Sequence, residues 1–348
     1  MQFAAYAMPS YREEFGGTPG EFLRATVDHL AAAEGLGFDS VWVNEHHFHE
    51  YGGMMPSLPI MLSTLAQRTT TLRLGTSVVV LPLHHPLEVA EQLAMVDVFS
   101  KGRVEFGIGR GFVTHDYEVL DIPHQDAQDR LIESLEVIRK AWTTRPFDHD
   151  GTYYHFTNVE LWPLPEQRPH PPIWIACSRT PSSFEWTGTQ GYKLLTIGYL
   201  RPVEKLAELT QLYRNAWAAA GHAHRPTIAT HYHTVVAESR QEARRIAEAG
   251  LAEHMRLNRA SQALSRHGPP PANEEVSIDQ VVDEARLIAG DPEECAALLR
   301  RIGGAIGCDE AHCMFQFGNI PLDVAQRSLE LFGTEVIPRL RTAQLAIS

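Results

Sequence analysis

Short apolar runs and amphipathic segments alternate along this chain from one end to the other, and the alternation completes eight times. Gln2–Met8, Ser40–Asn44, Leu72–Leu81, Arg103–Ile108, Ile173–Cys177, Lys193–Ile197, Thr227–Val236 and His312–Phe317 read as strands. Between and after them, Gly20–Leu36, Ser57–Gln67, Leu87–Phe99, Gln125–Trp142, Ser182–Thr189, Val203–Ala220, Gln241–Leu257, Pro292–Ile302 and Leu322–Leu340 carry helical spacing. In the first of these, Phe22, Leu23, Val27, Leu30 and Ala31 recur at helical intervals before Gly37 closes the segment. Strands that are apolar almost without interruption are covered on both faces, as in a parallel sheet flanked by helices. Eight such units point to a closed (β/α)8 TIM barrel, an α/β fold. An open doubly wound sheet would need a GxGxxG turn after the first strand, and Pro9-Ser10-Tyr11 is not one.

The 348 residues are 44% hydrophobic, enough for one large barrel domain spanning 1–348, with irregular insertions at about 143–172 and 259–290. The formal net charge of −13, with no long basic block, disfavours nucleic acid or an anionic membrane as partner. No apolar stretch approaches the roughly 20 residues of a membrane helix. The start reads as a strand broken at Pro9 rather than as a signal peptide. Four cysteines without a CxxC pair fit a reducing cytoplasm.

In a barrel of this kind the chemistry sits at the C-terminal ends of the strands. The second strand ends in Asn44-Glu45-His46-His47-Phe48-His49-Glu50, with three imidazoles and two carboxylates in six residues. Imidazole titrates near neutrality and can shuttle protons. The fourth strand ends in Gly107-Ile108-Gly109-Arg110-Gly111, where small residues let a flat ligand approach the backbone and Arg110 offers a forked cation to a phosphate. The fifth runs into Ser178-Arg179-Thr180-Pro181-Ser182-Ser183, a hydroxyl-rich helix start able to hold an anion, or simply an N-cap at Thr180 or Ser182. Cys177 reads as a packing thiol.

The ordered run from Glu34-Gly35-Leu36-Gly37-Phe38-Asp39 through Glu45-His46-His47-Phe48, Leu74-Gly75-Thr76, Ser100-Lys101-Gly102-Arg103 and Phe106-Gly107-Ile108-Gly109-Arg110-Gly111 resembles the bacterial luciferase family of flavin-dependent monooxygenases. The likeness continues more weakly to Glu185-Trp186 and Asp291–Cys295. The resemblance implies a barrel that binds reduced FMN, which meets O2, forms a 4a-hydroperoxide and oxygenates a small organic substrate: an aldehyde, ketone, sulfur compound or hydrocarbon. It implies His46, Glu45 and His47 as catalytic residues. It implies Ser77, Val78, Gly109, Arg110, Arg130, Ile175, Cys177, Ser178, Ser182, Ser183 and Thr196 around FMN, with a cis peptide at Ser77–Val78, and no catalytic metal. A separate flavin reductase is expected, because no Rossmann unit for a nicotinamide is present, together with a homodimer formed through the helices after the second and third strands. Two departures stand out: Gly109 occupies the position of a reactive cysteine, and Cys177 that of a flavin-site glutamate. Arg259–Ser277 is a candidate lid. Two alternatives compete: a deazaflavin-dependent oxidoreductase of the same superfamily, and a metal-dependent barrel hydrolase using the His47-Phe48-His49 pair, whose imidazoles would share one strand face.

Overall fold

The computed structural model describes residues 1–15, 17–266 and 276–345. Eight parallel strands close on themselves: β1 (Gln2–Ala7), β2 (Ser40–Val43), β3 (Arg73–Thr76), β4 (Val104–Gly109), β5 (Ile173–Cys177), β6 (Lys193–Ile197), β7 (Ile228–Val236) and β8 (Glu310–Met314). Each pairs with the next, and β8 pairs with β1 through Gln2↔Glu310 to Tyr6↔Met314, which closes the barrel. The helices α1 (Pro19–Ala32), α2 (Leu58–Arg68), α3 (Pro86–Phe99), α4 (Ala127–Thr143), α5 (Pro181–Gln190), α6 (Val203–Ala220), α7 (Arg240–Ala263), α8 (Pro292–Ile306) and α9 (Leu322–Leu331) form the outer ring.

Local chemistry accounts for the helix ends. Thr18 and Glu21 form a reciprocal capping box at the start of α1, and Asp291 caps α8 through the backbone N–H groups of Glu293 and Glu294. Gly191, Gly221 and Gly307 take the left-handed conformation that closes α5, α6 and α8.

The inside of the barrel is filled with aromatic and polar side chains rather than with layers of aliphatic ones. At the closed end Glu105 takes hydrogen bonds from Trp174 Nε1 (2.7 Å) and Arg73, and Glu310 from Trp42 Nε1 (3.0 Å) and Ser40. Trp42 and Trp174 meet edge to face at 5.4 Å. Above them Trp42, His312, His231 and Tyr6 stack in sequence, at centroid separations of 4.5, 4.7 and 4.7 Å. This column lifts His231 to the mouth, where its Nε2 pairs with Ser77 Oγ at 2.7 Å.

The structure corrects several expected boundaries. The third strand stops at Thr76. A cis peptide joins Ser77 to Val78, and Val79–Val80 then pairs separately with β4. Periodicity alone merges the two because Thr76 and Ser77 at the break are flanked by apolar residues and carry no proline or charge to mark it. The stretch 143–172 holds an antiparallel hairpin, Phe147–Asp150 with His155–Val159. Glu133 of α4 anchors it by accepting from the backbone N–H groups of Thr152, Tyr153 and Tyr154. Within the expected lid Arg259–Ser277, residues 259–263 belong to α7, and residues 267–275 lie outside the described residues. In the wider insertion expected at 259–290, Ile278–Asp283 is a helix and Ile288–Gly290 a strand. The last helix is interrupted by a wider turn at Phe332–Val336 before Ile337–Leu345.

Candidate active site

Beyond Val43 the chain leaves the sheet, and Phe48 adopts a left-handed φ of 58°, so residues 44–50 coil over the mouth instead of extending. That coil separates the clustered side chains into two groups. The expectation that His47 and His49 share one strand face fails here, since alternation holds only in extended backbone. Among the described residues, the two sets of side chains close enough to share an ion are Glu45 with His47 and His84, and His46 with His49 and Asp116. Neither contains both His47 and His49.

The first group is fully bonded. Glu45 is buried, and its Oε1 lies 2.7 Å from both His47 Nε2 and His84 Nε2, while Oε2 accepts from Val80 N–H at 3.2 Å. Burial works to raise the Glu45 carboxyl, but its two imidazole partners outweigh burial and hold it below the usual carboxylate range. Burial likewise works to lower His84, and Glu45 outweighs it and raises the imidazole.

The second group is not bonded. His46 is buried with Nε2 lacking a hydrogen-bond partner. Burial first, and then the neighbouring His49, push its pKa down to about 3, so the ring is neutral near pH 7. Tyr51 and Phe112 pack around it at 5.0 and 5.9 Å, and Phe112 is 52% exposed at the rim. Gly52 is required beside it, because its φ is positive and a Cβ would come within 2.7 Å of His46 and Met8.

Small residues make the floor. A Cβ at Gly109 would lie 2.7 Å from Val78 Cγ2 and 3.4 Å from Ala176 Cβ, and Ala176 is exposed. Gly109, Val78 and Ala176 therefore adjoin beside the cis peptide, with Ala176 exposed and no side chain projecting from Gly109, an arrangement compatible with a planar ring. The cysteine position of the family has no room for a thiol here.

The polar end is built from arginines and a helix start. Arg110 is exposed, with its carbonyl held by the Tyr117 hydroxyl. Arg130 stands over the Tyr153 ring at 4.4 Å, with a buried, unpartnered Nε. Ser178, Ser182 and Ser183 lie at the start of α5, whose N-cap Thr180 makes no side-chain hydrogen bond. Simple capping therefore does not explain those hydroxyls. Arg201, which sequence reasoning missed, binds the Ser178 carbonyl at 2.5 Å and has a buried, unpartnered Nε. Burial lowers its pKa, and the nearby charge of Arg179 adds to that. Two guanidiniums close together at a helix N-terminus favour an anion between them.

Three expected flavin contacts fall elsewhere. Cys177 Sγ faces α5, 3.5 Å from the Ser183 carbonyl and 3.2 Å from Thr187 Oγ1, and burial raises the thiol to about 12. Ile175 shares that outward side by alternation. Thr196 is paired with Cys177 in register and is also turned outward, since its neighbours Lys193 and Leu195 point in toward Glu105 and Gly107. Strand parity, which the motif match ignores, decides these positions. Residues that only the fold brings to the mouth include His84, Asp116, His231, Tyr51 and His254. Tyr51 Oη lies 3.3 Å from His254 Nε2. The alternating His231-Tyr232-His233 was the one local sign of inward-facing imidazoles.

Residues 1–307 match the family model for luciferase-like monooxygenases. The oxygenase component of a flavin-dependent trigonelline monooxygenase from Acinetobacter baylyi is 32% identical over 210 residues, covering 60% of this chain and 57% of its own. The crystal structure of the monooxygenase RslO1 from Streptomyces bottropensis superposes with a TM-score of 0.89 at 29% identity, covering 97% of this chain and 99% of its own. The oxygenating constituent of 3,6-diketocamphane monooxygenase from Pseudomonas putida, solved with FMN, superposes with a TM-score of 0.78 at 19% identity, covering 98% of both chains.

Proposed function

Because the chain belongs to the luciferase-like monooxygenase family, we propose that it is the FMN-dependent oxygenase of a two-component system, fed reduced flavin by a separate reductase. The observation that carries this reading is that the adjoining Val78, Gly109 and Ala176, with no side chain at Gly109, lie at the same strand-end mouth as a buried, neutral His46. Ser77, Val78 and Gly109 would hold the ring, and Arg110, Arg130, Ser178, Ser182 and Ser183 the phosphate side, joined by Arg179 and Arg201. Reduced FMN supplies two electrons, so that one oxygen atom of O2 enters a small organic substrate and the other leaves as water.

The protein's own part is positioning, proton handling and exclusion of water. His46 is neutral near pH 7 and offers Nε2 as a proton acceptor at the mouth. Glu45, fixed by His47, His84 and the Val80 N–H, keeps the coil that carries His46 in place. Glu118 accepts from Ser265 Oγ and from the Arg266 N–H, both at 3.2 Å, and so ties the segment after β4 to the end of α7. That tie narrows the access of water. The aromatic lining of Tyr51, Phe112 and His254 suits a largely apolar substrate.

The same proposal includes a single domain, a cytoplasmic location and a homodimer. Exposed Ile60 on α2 and Met95, Val98 and Phe99 on α3 support pairing through those helices. The four cysteines are buried free thiols, which suits a reducing compartment. No helix among the described residues is long and apolar enough to cross a membrane.

The test uses purified protein, a flavin reductase, NADH and a panel of aldehydes, ketones and thioethers, with products identified by mass spectrometry. An oxygenated product in the FMN reaction is expected. Turnover with a deazaflavin and none with FMN would overturn the reading. Arg110→Ala should weaken FMN binding about tenfold and riboflavin binding less than about twofold, because only FMN carries the phosphate. Equal weakening of both removes Arg110 from the phosphate site.

A further inference from the structure

The group around His46 is chemically incomplete. His46 Nε2, both ring nitrogens of His49 and Asp116 Oδ1 have no hydrogen-bond partner; His46 is buried, and the side chains of His49 and Asp116 are more than nine-tenths buried. Buried polar atoms are usually paired, and unpaired donor atoms of three residues gathered at one point ask for a ligand. One donor atom from each residue can be chosen so that all three lie within 4.8 Å of one another. His49 Nε2 and Asp116 Oδ1 are 3.5 Å apart. That is poor for a hydrogen bond. It is close to the edge of about 3.4 Å expected between two ligands held at roughly 2.0–2.1 Å from a tetrahedral ion.

We propose that His46, His49 and Asp116 form a three-ligand site for a divalent cation of the zinc class, with its fourth position open to the mouth. Two imidazoles and one carboxylate are a donor set that zinc accepts. The Glu45, His47 and His84 group has the same composition, but its donor atoms already satisfy one another at 2.7 Å and leave none free for an ion. Occupancy would engage the Nε2 lone pair of His46, and the cation would therefore inhibit oxygenation reversibly. This last consequence rests on the proposed role of His46; the binding itself does not.

The experiment titrates chelator-stripped, full-length protein with Zn2+ against a chromogenic zinc indicator, without flavin. One equivalent is expected to bind the unaltered protein. His49→Ala and Asp116→Asn should each weaken binding by at least about tenfold, while His84→Ala, which loosens the clamp on the coil but removes no ligand, should weaken it less than either. Neither His49→Ala nor Asp116→Asn deletes a hydrogen bond made by the atoms named above, and circular dichroism confirms folding. Zinc should also raise the melting temperature of the unaltered protein but not of those two variants. Absence of saturable binding, or loss of binding in His84→Ala with full binding in His49→Ala, overturns the site. Zinc should stop product formation by the unaltered protein while Asp116→Asn resists it. Binding at these residues without inhibition would keep the site and overturn the role given to His46.

Discussion

Two carboxylates stand at the mouth of this barrel, each beside two imidazoles, and they are handled in opposite ways. Glu45 is bonded at 2.7 Å to both of its histidines and to a backbone N–H. Asp116 approaches only His49, at 3.5 Å, and His46 and His49 keep unpartnered nitrogens. The same three residue types thus make a structural clamp in one place and an unsatisfied, reactive pocket in the other. Buried polar groups that are fully paired rigidify a fold, whereas unpaired ones cost stability and persist where they serve a ligand or a reaction. The clamp holds the coil 44–50, and the pocket uses the position that the coil creates.

The strongest way to break this contrast is through activity. His46→Ala should lower turnover by at least about 100-fold while the fold is retained, the range expected for loss of a proton-transferring group. Steady-state kinetics with saturating reduced FMN checks this, and unchanged turnover would show that the unpaired pocket is not the working one.

Stability offers the next test. Glu45→Ala strands His47, His84 and the Val80 N–H, and should cost about 3 kcal/mol in urea unfolding. Asp116→Asn should stay within about 1 kcal/mol in metal-free protein, because Oδ1 has no hydrogen bond to lose. If the two variants lose equal stability, the distinction between clamp and pocket is wrong.

The smallest effect is the pH dependence, where the two groups have opposite signs. His46 is depressed from 6.5 to about 3, so the folded state binds fewer protons than the unfolded chain, and its contribution is lost as pH falls below 6.5 toward 3. His84 is raised above 6.5, so its contribution is fully present below 6.5 and lost as pH rises through its higher folded value. Glu45 is lowered from 4.5, so its contribution holds above 4.5 and is lost in stronger acid. Melting curves between pH 5 and 8 should show His46→Gln flattening the acid side. They should show His84→Gln destabilised most below pH 6.5 and converging on the unaltered protein as pH rises. Parallel curves for both variants would contradict the assigned protonation states.

Much of this molecule was legible in its sequence. Eight apolar runs separated by amphipathic segments dictate a parallel barrel, because strands covered on both faces need helices all around them. Glu45-His46-His47, Gly107–Gly111 and Ser178–Ser183 follow the second, fourth and fifth strands, and that order alone assigns them to one mouth of the barrel. The helix stops at Gly191, Gly221 and Gly307 are equally local, since only glycine takes the left-handed conformation without strain.

Tertiary structure decided the rest. Which side of a strand faces the mouth depends on register and on where the strand ends, so Cys177, Ile175 and Thr196 turned outward while Ala176 became the floor. The pairing of neighbouring histidines was also undetermined locally. His47 went to Glu45 and His49 toward Asp116 because the left-handed turn at Phe48 sends consecutive residues in different directions. His84, which joins His47 on Glu45, and Asp116, which faces His49, come from other strand ends, as does Arg201 beside Ser178, and only barrel closure brings such distant segments together.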